Sequence, residues 1–192
     1  MDHILVGLAN PWPLPQQAKH NLGSLVLESL AEELDLDWEW WWSCFGWVAH
    51  ARVNELTLIL FIPGTFYNLS GFAVRRACVV LGLESHQLVL LHDDIDLDRF
   101  CWATRDGGSD GGNRGVRSVF QSLDPGVRRL RIGVGRPASR DPKTVACHVL
   151  APVDQELLER WQAAARNGEL LEILGLRGPP TDNRSSTRGR LS

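Results

Sequence analysis

Short uninterrupted apolar runs alternate along the chain with stretches whose apolar residues return every three or four positions, and this alternation predicts an α/β fold. His3 to Leu8 is too short for a helix and empties into Asn10-Pro11-Trp12-Pro13-Leu14-Pro15, which predicts a buried strand followed by a turn-rich loop. From Gly23 to Leu34, apolar residues at 25, 26, 27, 30, 31 and 34 keep helical spacing, with Ser24 placed to cap the helix start. Trp47 to Val53 and Leu56 to Ile62 flank Asn54-Glu55 and predict a hairpin. A second helix is predicted over 71–82, stopped by Gly82, and Leu88 to Leu91 is a strand running into His92-Asp93-Asp94-Ile95-Asp96. Residues 99–105 read as a strand, 106–115 as a loop too rich in glycine for regular structure, 115–123 as a helix and 128–134 as a strand. One last helix is predicted from Pro152 to about Leu174. Residues 177–192 have little to bury and predict a disordered tail, which leaves 1–176 as the single folded domain.

At 192 residues, with 44% apolar and 22% charged side chains, the chain has the makeup of one ordinary globular domain. No apolar run approaches the ~18 residues of a membrane span, and the opening MDHILVGLANPWP has no basic stretch ahead of its apolar residues. A soluble, cytoplasmic protein is therefore expected. Cysteines at 44, 78, 101 and 147 are widely spaced without a CxxC pair, which predicts reduced thiols and no metal site. A net charge of -3 argues against wholesale coating of nucleic acid, yet residues 105–143 hold nine basic groups against four acidic ones, leaving -8 on the remainder. Such a zone can steer a polyanion to one face. Tryptophans at 38, 40, 41, 42 and 47 offer a stacking surface, but the aspartates and glutamates among them repel a phosphate backbone, so core filling with a greasy rim is expected.

Five polar islands lie at strand ends or in the glycine loop: Asn10, His20, Asn68, Asp93 and 105–117. If the strands are parallel neighbours, these islands converge on one edge of the sheet, the usual address of a site in an open α/β fold. A histidine there serves as general base near neutral pH, since its ordinary pKa is about 6.5, provided a carboxylate fixes its tautomer. Asp93 leaves a buried strand and is the candidate partner of His20. No serine lies in a G-x-S-x-G elbow and no cysteine has an evident histidine partner, so water activated by His20 is simpler than a covalent nucleophile. The glycine loop matches neither the dinucleotide nor the Walker spacing, and no nucleotide cofactor is expected. Taken singly, each residue also has an ordinary use: asparagines in turns, a solvated histidine, aspartates closing a strand, arginines on a wet face.

Taken together, I-L-V-G-L-A-N-P at 4–11, K-H-N at 19–21, P-x-T-F-x-N-L-S-G at 63–71, H-D-D-I-D-L at 92–97, G-V-R-S-V at 115–119 and R-L-R-I-G-V-G-R-P at 129–137 make the chain resemble a bacterial-type peptidyl-tRNA hydrolase over roughly residues 3–175. The resemblance implies a monomeric, single-domain, three-layer α/β/α fold with a mixed, largely parallel sheet, and neither cofactor nor metal. It implies hydrolysis of the ester joining a peptide to the 3′ ribose of tRNA. By position, His20 matches the catalytic base, Asp93 the aspartate that orients it, and Asn10 and Asn68 the amides that hold substrate, with Tyr67, Asn113 and Arg114 expected beside them. Arg105 and Arg131 fall where the family clamps tRNA phosphate, and Arg117 and Arg128 would extend that patch. The implied partner is the acceptor arm of peptidyl-tRNA, with no membrane and no stable protein partner.

Three departures stand out. The motif N-P-G is N-P-W here, Tyr67 replaces the usual methionine, and H-N-G is Asn113-Arg114-Gly115. Arginine cannot accept a hydrogen bond, so Asn113 is the replacement amide if the loop shifts by one residue. Relatives without hydrolytic function act as RNA-binding splicing factors in plastids, which makes a silent RNA binder the alternative. A pure binder has no reason to keep a base and its orienting carboxylate, and both are present. A third reading, a protein-interaction domain, rests on the tryptophans of 38–47 alone.

Overall fold

The computed structural model of the chain describes residues 3–53, 56–176 and 188–191. In chain order the elements are β1 (His3–Gly7), α1 (Leu22–Glu33), β2 (Glu39–Trp41), β3 (Gly46–Val53), β4 (Leu56–Pro63), α2 (Ser70–Leu81), β5 (Leu88–Asp94), β6 (Cys101–Asp106), α3 (Arg114–Ser122), β7 (Arg128–Gly133), α4 (Pro142–Leu150), α5 (Gln155–Arg166), α6 (Glu169–Ile173) and β8 (Arg188–Arg190). The strands form one sheet in the order β2-β3-β4-β1-β5-β7-β6-β8. The parallel pairings join the four central strands β4, β1, β5 and β7, while the pairs β2–β3, β3–β4, β6–β7 and β6–β8 are antiparallel. The sheet is therefore mixed, with its parallel part confined to the centre.

The continuous apolar runs follow from this placement, because a central parallel strand is covered on both faces and needs no polar alternation. Successive residues divide between two cores. Leu5, Leu58, Leu60, Val89, Leu91, Leu130 and Ile132 pack with α1, α5 and α6 on one face. Ile4, Val6, Ile59, Phe61, Leu88 and Leu90 pack with α2 and α3 on the other. Helix α1 lies so close to the sheet that a Cβ on Gly23 would strike the carbonyl of Leu91. That carbonyl accepts the Leu8 N–H at 3.1 Å, carrying the β1–β5 pairing one step past β1.

Four expectations change. Helix α1 is capped at Asn21 rather than Ser24, because a 3-10 turn over Lys19–Asn21 runs directly into it, and the Ser24 hydroxyl instead donates to the Asn21 carbonyl at 2.9 Å. The single last helix is two, interrupted where Gly168 takes a φ of 84° that a helix cannot continue through. Helix α4 was not anticipated, although Asp141-Pro142 is a helix start: the Asp141 carboxylate accepts the Thr144 N–H at 3.0 Å, and proline takes the first turn. Of the expected tail, 177–187 lie outside the described residues, whereas β8 pairs with β6 and Leu191 is buried. The hairpin strands pair from Gly46 opposite Pro63 to Val53 opposite Leu56, and its turn at 54–55 lies outside the described residues. Among the described residues, no helix is long and apolar enough to cross a membrane.

Candidate active site

Leaving β1, the chain turns at Asn10, which is buried and tied on both sides. Its N–H donates to Asn21 Oδ1 at 2.8 Å, and its own Oδ1 accepts the Tyr67 N–H at 3.1 Å. Asn21 Nδ2 reaches back to the carbonyls of Gln16 at 3.0 Å and Pro15 at 3.3 Å, so one amide pins the proline-rich loop and sets the turn that carries His20. His20 meets Asp93, which stands at the end of β5 with 3% of its surface exposed, through an Nδ1–Oδ1 contact of 2.8 Å. A carboxylate can only accept, so the partner assigns the proton to Nδ1 and leaves the Nε2 lone pair for chemistry.

Two further groups serve the same carboxylate. The Tyr67 hydroxyl donates to Asp93 Oδ1 at 2.8 Å, and the Tyr67 ring stacks on the His20 imidazole at 3.5 Å and 22°. Asn113 Nδ2 donates to the Tyr67 hydroxyl at 3.0 Å and to the Asp93 carbonyl at 3.3 Å. The Asn113 Oδ1 caps α3, accepting the N–H groups of Gly115 and Val116 at 3.0 and 3.1 Å. Burial pushes the Asp93 carboxyl up, but the His20 charge and hydrogen bond, followed by His92 and Tyr67, outweigh it and hold the group below its ordinary value. Burial first and the Asp93 charge second raise the Tyr67 phenol well above the ordinary range, so it stays protonated and donates.

His20, Asp93, Asn113 and Arg114 line a cleft of about 450 Å³ whose apolar wall is Val145, Ala146, Val149 and Leu150 of α4. The expected residues thus come together with some redistribution. Tyr67, expected among the substrate contacts, is buried and gives its hydroxyl to Asp93. Asn10 lies behind His20, bound to Tyr67, and Asn68 is exposed on the turn that follows. Asn113 lies at the site with its amide on the Tyr67 hydroxyl and the Asp93 carbonyl, while Arg114 stands exposed on the cleft wall.

The basic residues divide by strand parity. Arg105 is opposite Arg129, and Arg131 follows two residues on, so all three share one face of the β6–β7 pair. Arg128, expected to extend this patch, falls on the opposite face, 4.0 Å from Asp106. Arg131 Nε binds Asp94 at 2.7 Å, and Arg117 forks onto Asp110 with contacts of 3.0 and 3.1 Å. Arg129 was not singled out from the sequence, yet it organises the glycine loop. It is buried, lies over the Phe120 ring at 5.1 Å, and donates to the carbonyls of Gly107 at 2.7 Å and Ser109 at 3.1 Å. Burial first, then Arg131 and Arg105, lower its pKa to about 10. The alternation of Arg128, Arg129 and Arg131 along a strand was the available signal. For Asn21 the signal was its place beside His20.

His92 is a second buried titratable group beside the pair. Its Nδ1 donates to the Asp93 carbonyl at 2.7 Å, and Nε2 has no partner among the described residues. Burial, then the Arg129 charge, lower its pKa to about 4. The unfolded chain takes up this proton near pH 6.5 and the folded one only near 4, so acidification across that window favours the unfolded state. We expect stability to fall by about 3 kcal/mol from this group between those limits. Urea unfolding of His92→Asn, which keeps a donor near Nδ1, should show a flatter pH slope; an unchanged slope would refute the assignment.

A histidine held by a buried aspartate in an open cleft at the carboxyl edge of a mixed sheet is the arrangement of an α/β acid–base enzyme. The family model of peptidyl-tRNA hydrolase matches residues 4–176, and the chain belongs to that family of enzymes. The peptidyl-tRNA hydrolase of Synechococcus sp. (strain CC9605) is 40% identical over 154 residues, covering 78% of this chain and 75% of its own. That of Pelobacter propionicus is 35% identical over 181 residues, covering 93% and 91%. The crystal structure of the Acinetobacter baumannii peptidyl-tRNA hydrolase shares the fold, with a TM-score of 0.78 at 24% identity over 91% of this chain and 93% of that one.

Proposed function

We propose that the chain hydrolyses peptidyl-tRNA with His20 as general base. Water loses a proton to His20 Nε2 as it attacks the ester carbonyl. The tetrahedral species collapses, the bond to the 3′ ribose oxygen breaks, and the imidazolium returns the proton to that oxygen. The peptide leaves as a carboxylic acid that loses its remaining proton to solvent, and the free tRNA becomes available again for translation. Asp93 keeps Nδ1 protonated and stabilises the cation that forms on the ring. Asn10 and Asn68 are the amides proposed to hold the peptide and the terminal ribose, and Asn113 and Arg114 border the same space. The observation that carries this reading is the 2.8 Å contact between His20 and the buried Asp93 at an open cleft.

On this reading the acceptor arm meets the protein through phosphates, with Arg105 the first contact because it is exposed. Arg131, 14% exposed on its side chain, and Arg117 are already held by Asp94 and Asp110 and join as oriented partners. We further propose a cytoplasmic monomer. The test is a hydrolysis assay of the wild-type protein on purified peptidyl-tRNA, read as release of deacylated tRNA, with tRNA binding measured alongside. Binding without release would favour the silent RNA binder. Arg105→Ala should leave the chemical step intact and reduce the log–log salt slope of tRNA binding by about 1. An unchanged slope would place the RNA surface elsewhere.

A further inference from the structure

The proposed reaction leaves the tryptophans without a purpose. The expected mixture of core filling and rim is found: Trp38 and Trp41 are part-buried and pack against the two cores, Trp40 is part-buried, and Trp42 and Trp47 are exposed. A second hollow, of about 520 Å³, opens on the far side of Asn10, between the end of β1, the end of β4 and the flank of α1. Trp38, Trp40 and Trp47 wall it, and Trp12, 82% exposed, stands at its mouth. Trp40 meets Trp47 nearly at right angles, 71° with centroids 5.4 Å apart, which gives the hollow a corner of two aromatic surfaces. Trp40 is seated against Gly64, where a Cβ would strike its six-membered ring.

The hollow also carries a sign. Its charged lining residue is Glu28, one helical turn along α1 from Ser24, which lines it too, and no lysine or arginine belongs to the lining. Glu28 makes no ion pair among the described residues. Glu28 is exposed on α1, and partial desolvation first and the Glu32 charge second raise its carboxyl from the ordinary value. The Trp40 Nε1–H is buried and has no hydrogen-bond partner among the described residues. Indole faces at an angle, backed by a carboxylate, are a receptor for an ammonium or guanidinium group. The same carboxylate repels a phosphodiester, which favours a cation over an RNA strand as the occupant.

The hollow shares no lining residue with the His20 cleft and is tied to it by contact alone, through Asn10. Asn10 lines it and holds the Tyr67 N–H, and the Tyr67 ring stacks on His20. We infer that the Trp38–Trp40–Trp47 hollow with Glu28 is a subsite for a cationic side chain, lysine or arginine, of the peptide carried by the substrate tRNA. The subsite rests on the hydrolase reading for the identity of its substrate. It sets a preference among nascent peptides and takes no part in the chemical step.

The test compares one tRNA carrying N-acetyl-trilysine with the same tRNA carrying N-acetyl-trinorleucine, which keeps the alkyl stem and lacks the charge. Wild-type protein is expected to prefer the lysine substrate by about tenfold in kcat/KM. Glu28→Gln and Trp40→Phe should bring that ratio close to one with the norleucine rate unchanged. Equal rates in the wild type, or equal losses on both substrates in both variants, overturn the subsite. If the wild type cleaves neither substrate, the enzyme reading fails, and the subsite is judged by tryptophan fluorescence titrated with N-acetyl-trilysine amide. A change seen in wild type and lost in Glu28→Gln then upholds a cation site. No change, the same response to the norleucine peptide, or the same response to oligoadenylate overturns it.

Discussion

His20→Ala is expected to lower kcat on peptidyl-tRNA by ~10²- to 10⁴-fold, the usual worth of a positioned general base, while tRNA affinity stays within about twofold. Affinity is spared because the cationic face of β6 and β7 is built without His20. The fold should also survive, since Asp93 keeps the Tyr67 hydroxyl at 2.8 Å and the Asn113 amide against its carbonyl. Single-turnover hydrolysis of purified peptidyl-tRNA is the measurement, with binding by filter retention in parallel. Turnover equal to the parent's would remove His20 from the mechanism and with it the meaning given to Asp93.

Gly23→Ala should be a severely damaging small substitution in the body of the protein. The added methyl meets the Leu91 carbonyl and the Leu8 nitrogen, which are the two ends of one hydrogen bond, and backbone cannot swing aside as a side chain would. Separating α1 from the sheet opens the core around Leu22, Val26 and Leu27 and shifts the turn that carries His20. Overpacking of this kind costs about 3 kcal/mol, which for a chain of this size lowers Tm by roughly 10 °C. Thermal unfolding followed by circular dichroism measures it. A Tm within about 2 °C of the parent would show that α1 has slack the packing denies.

The central strands were legible because their runs are buried on both faces, and no other element of such length and composition fits them. Their antiparallel neighbours were less so, since β2 is three residues of tryptophan-rich chain and β8 lies in a segment with almost nothing apolar except Leu191. Of the site, His20, Asp93 and Asn10 were legible as polar residues where apolar strands end. The role of Tyr67 was not, because proximity in sequence to Asn68 suggested substrate, whereas the 3-10 turn sends the two side chains opposite ways, one buried and one exposed. Arg128 was grouped with Arg131 by composition, and the two-residue repeat of a strand separates them. Arg129, hidden in the same run, has a meaning that depends on where the backbone of Gly107 and Ser109 passes, which local spacing does not encode.

That guanidinium has a consequence for how the protein is to be altered. Arg129 props up the beginning of the glycine loop, and the other end of the loop delivers Asn113 to Asp93, while Arg105 and Arg131 flank the same strut. The proposed grip on tRNA phosphate and the alignment of the pair therefore share a single mechanical support. Tuning one at position 129 detunes the other, and the two are separable only from the outer positions.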